Sequence, residues 1–110
     1  MFYELKLKNG ETYNLRMKSK SVKEYEDKYG SILNSLSDEK ISTTINMLFY
    51  LVKDYNHGFT QDNAYDLYDK LVDEGYTFED VLNIVVEGMV ASGFFKKAQL
   101  EEVKEEQKKK

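Results

Sequence analysis

The chain has 110 residues, a net charge of −4, 41% hydrophobic residues and no cysteine. This length and composition are typical of one globular domain with a modest core. The lack of cysteine excludes disulfides and thiolate metal sites and fits a reducing compartment. The negative charge argues against a nucleic-acid partner, and no apolar run approaches the roughly 18 residues that span a bilayer. We therefore expect a single cytoplasmic domain without a nucleic-acid or membrane partner.

The first seventeen residues alternate apolar and polar side chains on two short arms, which predicts a β-hairpin over about 2–17. The apolar positions are Tyr3, Leu5, Leu7, Tyr13, Leu15 and Met17. A two-residue turn would place the apolar residues of the two arms on opposite faces, because a one-residue shift reverses every side chain. A three-residue loop, Lys8-Asn9-Gly10, with Gly10 in the left-handed conformation, avoids this. It pairs Leu5 with Tyr13, Tyr3 with Leu15 and Met1 with Met17.

The rest of the chain carries helix signals, so the predicted fold class is α+β, with the hairpin followed by a bundle of four or five helices. A short helix is expected over 20–29, and longer ones near 38–56, 61–74 and 78–92. Hydroxyl N-caps at Ser37, Thr60 and Thr77 mark the starts of the three longer helices. Gly58 and Gly75 are expected to close the preceding helices as left-handed C′ residues, and the single histidine, His57, to meet the last carbonyls of its helix.

The predicted helices differ in their apolar faces. Helix 38–56 has the widest apolar face and is expected to be central. Helix 61–74 has a cleaner buried stripe, with its aspartates turned to water. The stripe comprises Ala64, Leu67, Tyr68, Leu71 and Val72, and the aspartates are Asp62, Asp66, Asp69 and Asp73. Gly88 inside the last helix costs up to ~1 kcal/mol relative to alanine, which indicates a close helix approach. We expect one domain over 1–95 and a charged, partly helical or disordered tail over 96–110.

No pattern in the chain supplies catalytic machinery. There is one histidine and no cysteine, so nucleophilic triads are poorly provided for. No glycine-rich phosphate loop follows a strand, and no metal-ligand spacing occurs. We therefore expect no enzyme activity, no cofactor and no metal ion.

Four apolar residues fall on the outward sides of their predicted helices or close to the end of the last one. They are Tyr50, Val90, Phe94 and Phe95. Val90, Phe94 and Phe95 form a cluster, for which two interpretations stay open: it binds a partner, or the hairpin or the tail packs over it.

The order of these features resembles the small tail assembly chaperones of long-tailed bacteriophages and of related prophages of Gram-positive hosts. The resemblance covers nearly the whole chain and lies in an ordered set of segments. These are Tyr3-Glu4-Leu5-Lys6-Leu7-Lys8-Asn9-Gly10, Tyr13-Asn14-Leu15-Arg16, Lys28-Tyr29-Gly30, His57-Gly58-Phe59-Thr60, Ala64-Tyr65-Asp66-Leu67-Tyr68 and Ser92-Gly93-Phe94-Phe95-Lys96. One departure is the linker 31–37, which is shorter than the usual loop of the family.

The resemblance implies a protein without catalysis that acts in the bacterial host cytoplasm. Such a chaperone binds the long, helical tape-measure protein, helps tail-tube subunits assemble around it, and is not retained in the mature virion. The alternative is a small acidic adaptor or inhibitor, encoded by a phage, that binds a host protein through its aspartate-rich helix. Raised salt would weaken the second mode more than helix-in-groove binding. The sequence leaves both a monomer and a homo-oligomer open.

Overall fold

The computed structural model describes residues 1–100 and begins with the predicted hairpin. Strand β1 (Tyr3–Lys6) pairs antiparallel with strand β2 (Thr12–Leu15), and the register matches Tyr3 with Leu15 and Leu5 with Tyr13. Gly10 has a φ of +96°, and its N–H donates to the carbonyl of Leu7, which closes the three-residue loop. The register and the loop predicted from the alternation are confirmed.

The pairing predicted between Met1 and Met17 does not form. The ladder begins at Tyr3, and Met1 is 87% exposed. Met17 is fully buried, and its N–H donates to the hydroxyl of Ser92 at 2.8 Å. The second arm therefore leaves its partner strand and enters the core alone.

Five helices follow in the described part of the chain: α1 (Ser19–Tyr29), α2 (Ile32–Ser37), α3 (Ile41–Lys53), α4 (Gln61–Asp73) and α5 (Phe78–Ala91). The fold is thus a two-stranded antiparallel hairpin packed on a mostly helical α+β domain, as predicted. α3 packs against α1, α2, α4, α5 and β2, so it is the central helix.

The linker between α1 and α3 differs from the prediction, because it forms the separate helix α2. Ser37 ends this helix, and its hydroxyl donates to the carbonyl of Asn34 instead of capping α3. The carboxylate of Asp38 accepts hydrogen bonds from the Lys40 N–H and the Thr43 hydroxyl. The turn before α3 is therefore organised by Asp38, and the predicted Ser37 cap is wrong.

The other two predicted helix starts are confirmed. The hydroxyls of Thr60 and Thr77 each accept a hydrogen bond from the N–H three residues on. The N–H of each threonine in turn donates to the side-chain oxygen of Asn63 or Asp80, which completes two capping boxes. These four bonds satisfy backbone donors that a helix start leaves without an internal partner.

The predicted helix-closing glycines both have positive φ, but they act differently. Gly75 (φ +101°) donates to the carbonyl of Val72, and Tyr76 donates to Leu71, so α4 ends in a Schellman motif. Gly58 (φ +80°) lies in the turn beyond the end of α3.

The hydrogen bond to the end of α3 that was predicted for His57 is made by Asn56. Asn56 donates its side-chain amide to the carbonyls of Val52 and Asn14, at 2.6 and 2.9 Å. Asn56 therefore caps the end of α3 and links it by a hydrogen bond to strand β2. His57 lies exposed in the turn.

The core lies between the hairpin and the helices and includes the expected close approach at Gly88. This glycine is buried in α5, against Leu51 of α3 and Leu15 of β2. Leu100, in the stretch expected to be a charged tail, is also fully buried. The remainder of that predicted tail, 101–110, lies outside the described residues.

Candidate functional site

The structure places the four predicted partner-binding residues in different environments. Tyr50 is 8% exposed, and its ring contacts those of Tyr25, Tyr29 and Phe49. The expectation that Tyr50 lies on an open face is wrong, because α1 covers that side of α3. A partner would reach this ring only if α1 moved away.

The remaining three residues lie at the end of α5 and just beyond it. Val90 and Phe95 are half-buried and pack against the core, so for them the alternative of internal packing holds. Phe94 follows Gly93, whose φ is +88°, and it is 46% exposed. Phe94 alone of the four predicted residues offers a large apolar surface to a partner.

A second apolar surface lies on α4, and the sequence reasoning missed it. Tyr65 is 43% exposed and Val72 is 46% exposed, whereas Val72 was expected in the buried stripe. Because the two residues are seven positions apart, they lie about 20° from each other around the helix and face the same way. The aspartates of α4 are all exposed, as predicted. We call the surface formed by Tyr65, Val72, Asp62, Asp69 and Asp73 the α4 outer face.

Further exposed apolar side chains lie at the start of the chain and at the start of α3. Met1 and Phe2 precede the hairpin, and the Phe2 ring lies edge-on to that of Tyr55, with centroids 4.8 Å apart. Ile41, the first residue of α3, is 52% exposed. Each of these is a single projecting side chain rather than a helical pair.

A cleft of about 290 Å³ lies between the hairpin, the turn before α4, and α4 itself. The Glu11 carboxylate at its edge accepts hydrogen bonds from the Tyr13 hydroxyl at 2.7 Å, the Lys70 ammonium at 3.0 Å and the Asn9 amide. These bonds lower the pKa of Glu11 to about 2. Burial, with the bond to Glu11, raises the pKa of Tyr13 to about 12.

The charges of Glu11 and Lys70 therefore neutralise each other and join the hairpin to α4. A second link joins the same two elements, because the Lys8 N–H donates to the Glu74 carboxylate at 3.0 Å. The hydrogen bonds hold Glu11 ionised, and burial together with the bond to Glu11 holds Tyr13 protonated. We assign the cleft a structural role.

A separate polar cluster joins the start of α1 to the end of α3. The carboxylate of Asp54 accepts hydrogen bonds from the Lys18 N–H and the Ser21 hydroxyl, and it lies 3.3 Å from the Lys53 ammonium. Burial tends to raise the pKa of Asp54, but these three partners together lower it below its usual value. Because Lys18 is the N-cap of α1 and has no side-chain cap of its own, Asp54 supplies the missing acceptor.

Within residues 1–100, no three histidine or acidic side chains are grouped closely enough to hold a metal ion. In the same range, no helix is long and apolar enough to cross a membrane. Phe94 and the α4 outer face are two exposed apolar surfaces among these residues that a ligand could contact. Comparisons with known protein families, with curated proteins and with solved structures find no match to this chain.

Proposed function

We propose that this protein is a tail assembly chaperone of a long-tailed phage or prophage. It binds the tape-measure protein in the host cytoplasm, assists the assembly of tail-tube subunits around it, and leaves before the virion is complete. The support from sequence is the resemblance described above, which lies in an ordered set of segments over nearly the whole chain.

The observation that carries the proposal is the set of large apolar side chains that the packed fold leaves outside. Phe94, Tyr65 and Val72 are each more than two-fifths exposed, although the core beneath them is closed. Exposed apolar residues at helical spacing are the usual means of covering the apolar stripe of a partner helix. A chaperone that covers such stripes keeps a long helical protein from aggregating, and this needs no catalytic group.

The direct test is co-expression with the tape-measure protein from the same phage, followed by measurement of the soluble fraction of that protein. We expect the wild-type chain to keep it soluble and Phe94→Ser to reduce this protection. Phe2→Ser is the matched control, because Phe2 is 45% exposed and Phe94 is 46% exposed, so the chemical change and the area are nearly equal. The proposal fails if the tape-measure protein aggregates equally with and without the wild-type chain.

A second candidate is an acidic adaptor or inhibitor that binds a host protein. It is favoured by Asp62, Asp69 and Asp73, which are exposed and form no ion pair with any other described residue. Capture experiments at two salt concentrations separate the two functions. A host protein that is retained at low salt, with no effect of the chain on tape-measure solubility, would favour the adaptor.

A further inference from the structure

The α4 outer face combines two features that together describe a partner. Tyr65 and Val72 stand about two helical turns apart, or ~10 Å along the axis. This is the separation of anchor residues i and i+7 on a second helix laid along α4. Two side chains that are each more than two-fifths exposed at this spacing give such a helix two contact points on one line.

The charge on this face lies along one edge. Asp69, Asp62 and Asp73 follow Tyr65 around the helix in one direction, at about 40°, 60° and 80°. In the other direction lie neutral residues: Gln61, whose amide donates to Asn46 at 2.7 Å, and the buried Tyr68. The apolar pair is therefore bordered by carboxylates on one side and by neutral groups on the other.

The base that α4 itself carries does not neutralise this edge. Lys70 is turned towards the hairpin, where its ammonium lies 3.0 Å from Glu11. No base elsewhere in residues 1–100 forms an ion pair with Asp62, Asp69 or Asp73. Within residues 1–100, the acidic edge therefore carries charge that no base neutralises.

We infer that the α4 outer face is a docking surface for an amphipathic helix whose apolar stripe is bordered on one edge by lysine or arginine. The inference rests on the proposed function only in requiring a helical protein partner. A second copy of the same face would bring three more aspartates into the interface and no base to meet them, so complementarity favours a basic partner. Nucleic acids and anionic lipid surfaces would be repelled by the same edge.

The test uses the full chain and a fluorescein-labelled synthetic helix of 18 residues built from alanine, leucine and lysine. Leucines occupy positions i, i+3 and i+7, and lysines occupy the edge that meets the aspartates. The control peptide has glutamate at each lysine position. Fluorescence anisotropy at 50 mM salt should show binding of the lysine peptide and none of the glutamate peptide, with weaker binding at 500 mM salt.

Variants of the chain then locate the binding site. We expect Asp62→Asn with Asp69→Asn to weaken binding of the lysine peptide about fivefold. Tyr65→Ser with Val72→Ser should weaken it about tenfold or more, because it removes both apolar anchors. The circular dichroism spectrum should not change, since all four side chains are exposed.

The matched control for charge is Glu4→Gln with Glu24→Gln. Their side chains are 54% and 51% exposed and lie on β1 and α1, and the change in net charge is the same. We expect less than a twofold effect. Equal weakening by the control and by the aspartate pair would overturn the inference, because binding would then follow net charge alone. Failure of the lysine peptide to bind, or unchanged binding to the Tyr65 and Val72 variant, would overturn it as well.

The peptide-binding experiment and the tape-measure solubility experiment can fail independently of each other. If the peptide binds the α4 outer face but the tape-measure protein is not kept soluble, the proposed function fails and the docking surface stands. If the tape-measure protein is kept soluble and the peptide does not bind, the docking surface is wrong and the proposed function stands.

Discussion

Replacing Gly88 by alanine sets two opposing effects against each other, and the structure decides which is larger. Alanine in a helix interior is favoured over glycine by about 1 kcal/mol. A Cβ at this position, however, would lie 3.0 and 3.2 Å from the two δ carbons of Leu51 and 3.4 Å from the Cβ of Leu15. Insertion of a methyl group into such a packed site costs about 1 to 3 kcal/mol.

The side chains around the added methyl group have little freedom to move away from it. Leu51 and Leu15 are both fully buried, so neither side chain can turn out into solvent to make room. Both δ carbons of Leu51 are close, so a rotation that moves one away brings the other nearer. We therefore expect a packing cost of about 2 kcal/mol, which leaves Gly88→Ala less stable by about 1 kcal/mol. The corresponding fall in Tm is roughly 5 °C.

Thermal unfolding followed by circular dichroism measures this effect, and a double-mutant cycle identifies its cause. Leu51→Val withdraws the δ carbons, so in that background Gly88→Ala should cost nothing or should stabilise the chain by up to ~1 kcal/mol. An equal or higher Tm for Gly88→Ala alone would refute the packing argument. Strictly additive effects in the cycle would show that Leu51 is not the obstacle.

Three further substitutions test the links that hold the fold. Gly10→Val should cost more than ~1 kcal/mol by chemical denaturation, because φ is +96° although no atom lies near the added Cβ. Asp54→Ala should cost about 2 kcal/mol at pH 7, since it removes a charged acceptor. Because the folded pKa of Asp54 is lowered, that difference should be present above the unfolded pKa and should vanish as the pH falls through the folded value. In an absorbance titration, Tyr13 should ionise near pH 12, and Glu11→Gln should move its pKa back towards 10.

The parts of the fold that follow from neighbouring residues were predictable from the sequence. The apolar residues of both arms must lie on one face of the hairpin, which requires a three-residue loop. This loop determined the register and required a positive φ at Gly10. The capping boxes at Thr60 and Thr77 use a partner three residues away, so a short window of sequence contains both members. By contrast, Lys18 is capped by Asp54 across 36 positions, and no local pattern could have revealed that pair.

Ser37 shows how a local pattern fails when two polar residues compete. The sequence before α3 shares an apolar residue, a hydroxyl and acids with the two real capping boxes, but the residue three after Ser37 is Lys40, which cannot accept a hydrogen bond from the cap N–H. Here Asp38 takes the donors of the turn, and the hydroxyl of Ser37 bonds back into α2. A correct prediction required knowledge that 32–37 forms a helix of its own, which Ser31 caps and which packs against α1 and α3.

The errors at the candidate site have one physical cause. A helical wheel assumes that a helix has one buried side, and it therefore placed Tyr50 outside and Val72 inside. α3 has neighbours on several sides, so even Tyr50, off the main stripe, is enclosed by Tyr25 and Tyr29. α4 covers the core from one side, so Val72, at the margin of its stripe, extends beyond the contact and is 46% exposed. The number of neighbours that a helix has is a property of the tertiary fold, and it determines why Tyr50 is buried and Val72 is exposed in this chain.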